Sequence, residues 1–209
     1  MFDLKKYWRP LDVVKSDPTW NQGSLASSAE FVGMVKTLGD NITAAEVGIA
    51  FGLNIMYMMD KCPNIKKYYA IDPHEAYQDW GPNVPYGNME HDMMVKVGQK
   101  FLENLDAYDK KDLIEFFKKT SDDAKDLIPD NSIDFMFIDA NHSTESVRQD
   151  CHNYYSKMKK GGIFAGHDMD AISVQNGVHQ FVDEMGIPRN RVITVSHPYT
   201  PPCWMIRVL

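Results

Sequence analysis

Five short apolar runs with helical segments between them constrain the fold of this chain more than any other feature. The runs are Ala44–Val47, "KKYYAIDP" stopped by Pro73, "DLIEFF", "SIDFMFIDA" and "GGIFAG". After Gly52, "LNIMYMM" continues as a helix that Pro63 ends; Met94, Val97, Phe101 and Leu105 form one helical stripe, and Val147, Cys151, Tyr154 and Met158 another. Strands alternating with helices predict an α/β fold with a parallel sheet. Upstream, Leu25, Ala29, Val32, Val35 and Leu38 lie at helical spacing, with Ser24 as a cap and Gly39 as a stop, so an N-terminal helical segment within 1–40 leads into the first strand. Downstream the pattern changes. "VQNGVHQFVDEM" reads as a helix, and "RVITVS" and "CWMIRVL" follow it, joined only by "HPYTPP"; two strands without a helix between them predict an antiparallel pair at one sheet edge.

The 209 residues suffice for one sizeable core, so a single domain over 1–209 is expected, with 44% hydrophobic and 24% charged residues as in ordinary soluble proteins. A net charge of −7 gives no footprint for nucleic acid, and the pairs Lys66–Lys67, Lys118–Lys119 and Lys159–Lys160 read as solvated rims. No apolar window approaches a membrane span, and "MFDLKKYWRP" carries charge where a signal peptide needs an apolar stretch, so no membrane partner and a cytoplasmic location are expected. Cys62, Cys151 and Cys203 lack metal or disulfide spacing and read as reduced, structural thiols. Oligomeric state is not legible in one sequence. One segment exceeds a plain connector: His74 to Glu90, rich in Trp, Tyr, Pro and Gly, within an insertion over 74–110. Its Tyr77, Trp80 and Tyr86 are candidates for closing over a ligand.

Ligands of open parallel sheets bind beyond the carboxyl ends of the strands. Those ends carry Glu46 with Gly48, Asp72, Ser121, Asp139 with His142, and His167 with Asp168. In "AEVGIAFGLN" Gly48 and Gly52 allow close backbone approach, and Asp72 stands about 20 residues on, where a carboxylate can accept from both ribose hydroxyls. A dinucleotide turn wants G-x-G-x-x-G beside a pyrophosphate, but here Ala50 replaces the middle glycine and no third glycine follows. S-adenosylmethionine has an adenosine and no phosphate, and its ammonium and sulfonium are cations that Glu46 would attract, where a pyrophosphate would be repelled.

The stretches "FIDANHSTESVRQD", Phe137 to Asp150, and "GGIFAGHD", Gly161 to Asp168, are more specific than the glycine turn. From about Ser24 to the end, the chain resembles the class I S-adenosylmethionine-dependent methyltransferases, within them the small group with the "FIDxxH…GGxxAGHD" pattern (methyltransferase domain family 24-like). The resemblance implies a Rossmann-like three-layer sandwich around a seven-stranded, mostly parallel sheet with an antiparallel last strand. It implies that Glu46, Gly48 and Gly52 line the methionyl part, that Asp72 holds the ribose, that Ser121 and Asp122 flank the adenine, and that Asp139 closes the cofactor site. Ala50 and the "LN" after Gly52 depart from the commoner forms of that turn.

Methyl transfer is an in-line displacement whose electrophile the cofactor supplies, so the protein must align and deprotonate a nucleophile. The likeness to catechol-type O-methyltransferases implies a divalent ion, magnesium or manganese, at Asp139, His167 and Asp168. A histidine among these ligands favours a softer ion or none. Without a metal, His142 or His167 is the general base, beside Asp139 in the catalytic set. The plainer readings are that His142 caps the helix starting near Ser143 and that His167 packs on the loop after its strand. Trp204 with Ile206 reads as sheet core, and Met56, Met58 and Met59 as helix packing. The sequence thus points to O-methylation of a small-molecule or sugar hydroxyl, against a nicotinamide-dependent oxidoreductase or a non-catalytic S-adenosylmethionine-binding module.

Overall fold

The computed structural model describes residues 27–75, 91–197 and 200–209. Seven strands form one sheet: β1 (Ile42–Val47), β2 (Ile65–Ile71), β3 (Ile114–Phe117), β4 (Ile133–Ile138), β5 (Met158–Gly166), β6 (Ile193–His197) and β7 (Thr200–Arg207). Among the described residues, four longer helices accompany them: α1 (Leu53–Lys61), α2 (His91–Ala107), α3 (Thr144–Tyr155) and α4 (Ile172–Glu184). The strand order is β3-β2-β1-β4-β5-β7-β6. β1 to β5 pair in parallel, whereas β7 is antiparallel to both β5 and β6. The last strand is thus inserted beside β5 and leaves β6 as the edge, which is the antiparallel pair that the tail predicts.

Both faces of the sheet are covered, which is why the strands read as continuous apolar runs rather than as alternations. Ala44, Tyr68, Phe135, Phe137 and Ile163 pack toward α1, Phe31 and Phe101. Their alternate neighbours Ala45, Ile71, Met136, Phe164 and Trp204 pack toward Val147 and Tyr154 of α3 and Phe181 of α4. Trp204 and Ile206 are buried on one face, and Met56, Met58 and Met59 are buried side chains of α1, as their spacing predicts. The three cysteines are free and buried. Among the described residues, no helix is long and apolar enough to cross a membrane.

The predicted N-terminal helix falls partly outside the described residues, which begin at Ser27. Among the described residues of that segment, a 3-10 turn at Ala29–Phe31 is followed by one α turn at Val32–Val35. Gly33 and the β-branched valines give this stretch little helical preference, and burial of Phe31 and Val35 holds it in place. Ser24 and Leu25 lie outside the described residues. So do Tyr77, Trp80 and Tyr86, while the later part of the 74–110 segment is the crossover helix α2.

Candidate active site

The sheet ladders continue one step past the strand ends and set the polar residues side by side. Gly48 N–H donates to Ile71 O at 2.9 Å, Asp72 N–H to Phe117 O at 3.2 Å, Asp139 N–H to Val47 O at 2.8 Å and His167 N–H to Ile138 O at 3.0 Å. Gly48, Asp72, Asp139 and His167 therefore form a row along the carboxyl edge, across the β1–β4 junction where the strand order reverses. Gly48 has a structural reason to be glycine: its φ is +82°, and a Cβ there would stand 2.2 Å from Asp139 O.

Beneath this row lies a buried acid. Glu46 Oε2 accepts from Asn54 Nδ2 at 2.8 Å and from Tyr68 Oη at 3.1 Å. Asn54 Oδ1 in turn accepts from the Ser28 hydroxyl and amide at 2.7 and 3.0 Å. Burial, and after it the charges of Asp139 and Asp72, push the Glu46 carboxyl up to about 8 against those two hydrogen bonds. Asp72 braces the glycine turn: its Oδ2 accepts from Ile49 N–H at 3.0 Å and Ala50 N–H at 3.1 Å, and its Oδ1 from His74 N–H at 2.7 Å.

At the ends of β4 and β5, two carboxylates and two imidazoles converge. His142 Nε2 lies 3.1 Å from Asp168 Oδ2 and 3.7 Å from Asp139 Oδ1. His167 Nδ1 lies 3.2 Å from Asp168 Oδ2 and 3.6 Å from Asp139 Oδ1. The Ser27 hydroxyl donates to Asp139 Oδ2 at 3.0 Å. Burial alone would lower the pKa of His167, but Asp139 and Asp168 outweigh it and raise the imidazole to about 10. Burial likewise opposes ionisation of both carboxylates, and the histidines hold Asp139 and Asp168 below the usual carboxylate range. Donor atoms of Asp139, His142 and Asp168 lie within 4.8 Å of one another, compatible with a single cation. Asp168 has φ +54°, and of the four non-glycine residues with positive φ among the described residues, Ala50, His74 and Asp168 all sit at this edge; the fourth is Asn131. Such conformations persist where the surroundings impose them, and they cluster at functional sites.

Of the residues singled out by sequence, Asp139, His142, His167 and Asp168 form one cluster, with Gly48 and Asp72 in the adjoining row and Glu46 beneath it. The cap of α3 is Ser143, whose hydroxyl accepts from Ser146 N–H, so His142 is not the cap. Ser121 and Asp122 are tied instead to α3: Asn153 Nδ2 donates to both, at 3.0 Å each, and Asp122 is largely exposed. Asn54, Tyr68 and His74 escaped sequence reasoning. A polar residue in the apolar run "LNIMYMM" is the one local signal that marks Asn54.

A family model described as "Methyltransferase domain" matches residues 45–169, more than half of the chain. The solved structure of an O-methyltransferase from Bacillus cereus in complex with SAH is similar at 13% identity and a TM-score of 0.62, covering 99% of this chain and 95% of that one. The O-methyltransferase NovP is similar at 14% identity and a TM-score of 0.61, covering 85% and 80%. An rRNA methylase from Streptococcus thermophilus is similar at 11% identity and a TM-score of 0.54, covering 90% and 99%. No curated protein matches the chain. At these identities the solved structures establish the shared fold, and the family match over both the glycine turn and the "FIDANH" and "AGHD" strand ends goes further: the chain belongs to the methyltransferase-domain family and is an S-adenosylmethionine-dependent methyltransferase.

Proposed function

We propose that this enzyme methylates a hydroxyl oxygen of a small molecule or sugar at the cluster formed by Asp139, His142, His167 and Asp168. The observation that carries the reading is the convergence of these four side chains at the ends of β4 and β5, beside the glycine turn. Nucleophile activation for transfer to oxygen needs a proton acceptor or a Lewis acid there. His167, raised to about 10, is an imidazolium near neutral pH and a poor base. We assign the acceptor's part to His142: the hydroxyl oxygen forms the new bond to carbon, the carbon–sulfur pair returns to sulfur, and the hydroxyl proton passes to the His142 imidazole.

The charge along this edge supports cofactor binding over Glu46, Gly48, Gly52, Asp72 and Asp139, with Ser121 and Asp122 beyond β3 at the adenine end. Three neighbouring acids, one of them driven toward neutrality, suit an ammonium and a sulfonium. The dinucleotide alternative loses support because the Ile49 and Ala50 amides, which would face a pyrophosphate, are already bound by Asp72. Asp139 and Asp168 would alternatively suit a divalent ion with His142, in place of the expected His167, as third ligand; the ion would then take over activation of the hydroxyl from His142, and the imidazole favours manganese over magnesium. Such an ion, when bound, would lower the pKa of a coordinated hydroxyl. The net charge of −7 favours a small acceptor over RNA.

Turnover of S-adenosylmethionine with a panel of hydroxyl compounds tests the reading, run with chelator and then with manganese or magnesium restored. Product formation that Asp139→Ala abolishes is the expected result, and calorimetry should show binding of S-adenosylhomocysteine but not NAD. Unchanged turnover in Asp139→Ala refutes the site. Indifference to chelator refutes the metal and leaves His142 as the base.

A further inference from the structure

The structure assigns to His74 a role in positioning the cofactor: its imidazole locks Ala50 in the left-handed conformation that shapes the glycine turn. This inference rests on reading that turn as the cofactor's.

Ala50 stands midway between Gly48 and Gly52 with φ +44°, a conformation that any residue with a Cβ resists and that glycine adopts freely. Both of its backbone polar groups are held from outside the turn. Its N–H donates to Asp72 Oδ2 at 3.1 Å, and its carbonyl lies 2.9 Å from His74 Nε2, which as the protonated nitrogen donates to it. His74 N–H donates to Asp72 Oδ1 at 2.7 Å. Residues 50, 72 and 74 thus close a ring of three hydrogen bonds through one carboxylate.

His74 is itself held firmly enough to impose a conformation on its neighbour. It is 4% exposed and has φ +50°. Its ring centroid lies 5.5 Å from that of Phe101 and 5.7 Å from that of Phe116, and those two rings are 4.7 Å apart. On α2, Gly98 leaves the space the ring needs, since a Cβ there would come within 2.9 Å of His74 Cβ. Nothing in this packing requires an imidazole rather than a phenyl ring. The bond to Ala50 O does.

A double-mutant cycle over His74→Phe and Ala50→Gly tests the assignment, with two readouts: thermal stability of the cofactor-free protein and affinity for S-adenosylhomocysteine. His74→Phe keeps the ring packing and removes the donor, so the dissociation constant should rise about tenfold, equivalent to 1.4 kcal/mol. KM for S-adenosylmethionine should rise with it, while kcat at saturation stays within about twofold. His74→Gln, whose amide nitrogen can take the place of Nε2, should recover most of the affinity. In the Ala50→Gly background the loss on His74→Phe should shrink, because glycine holds the left-handed conformation unaided. Equal losses in the two backgrounds, or a fall in stability with unchanged affinity, overturn the assignment. Failure of the wild-type protein to bind S-adenosylhomocysteine refutes the cofactor reading and the positioning role with it; coupling of residues 50 and 74 in the cofactor-free stability would then show the hydrogen-bond ring on its own. Should His74→Phe not fold, His74→Gln and His74→Asn decide, since only the longer amide reaches as Nε2 does.

Discussion

Glu46→Gln separates the charge of the acidic pocket from its shape. Glu46 is 2% exposed, and its carboxyl is pushed from an ordinary 4.5 up to about 8. Between these values the folded chain retains a proton that the unfolded chain has released. The stability attached to Glu46 is therefore complete below pH 4.5 and is lost as the pH rises through 8. At 1.36 kcal/mol per pH unit the whole interval sets a ceiling of about 5 kcal/mol, and relaxation around the ionised group brings the expected loss at pH 9 to about 2 kcal/mol. Glutamine keeps an oxygen for Asn54 and Tyr68 and does not ionise. Glu46→Gln should thus match the wild-type protein at pH 4.5 and exceed it at pH 9 by about 2 kcal/mol, or about 4–8 °C in Tm for a chain of this size. On the proposed reading that Glu46 pairs with the cofactor's ammonium, the same variant should bind S-adenosylhomocysteine about tenfold more weakly. Calorimetry in buffers of different ionisation enthalpy should show the wild-type protein releasing a proton on binding below pH 8. A stability difference identical at pH 5 and pH 9, or a variant less stable than the wild type at pH 9, would refute the reasoning.

His167→Ala should lower stability at pH 7 by about 2 kcal/mol, since two half-buried carboxylates lose their cation. His167 is raised from 6.5 to about 10, so its contribution is complete below pH 6.5 and is lost as pH rises through 10; urea unfolding should show wild type and variant converging there. Gly48→Ala combines a φ of +82° with a Cβ 2.2 Å from Asp139 O, and it should cost more than about 3 kcal/mol and abolish S-adenosylhomocysteine binding, read by thermal unfolding and calorimetry.

The alternation of apolar runs and helical stripes encoded the parallel sheet, and the bare link between "RVITVS" and "CWMIRVL" encoded the antiparallel pair. Both follow from local rules, because periodicity and connection length are properties of contiguous residues. The same rules marked the strand ends, so Glu46, Asp72, Asp139, His142, His167 and Asp168 were legible as a set. How those residues meet was a matter for the tertiary structure. Asp139 and His167 approach within 3.6 Å only because β4 and β5 pair in one register, and Asn54 reaches Glu46 because α1 folds back over β1. The raised pKa of His167 depends on its distances to the carboxylates, and that of Glu46 on its burial. His74 had no signal of its own in "AIDPHEAY": a buried imidazole that bonds Ala50 across 24 residues exists only once the turn and β2 lie side by side. Sequence determined which groups stand at the edge of the sheet. Three-dimensional packing decided their partners and protonation, because burial and Coulomb interaction depend on separation in space and not along the chain.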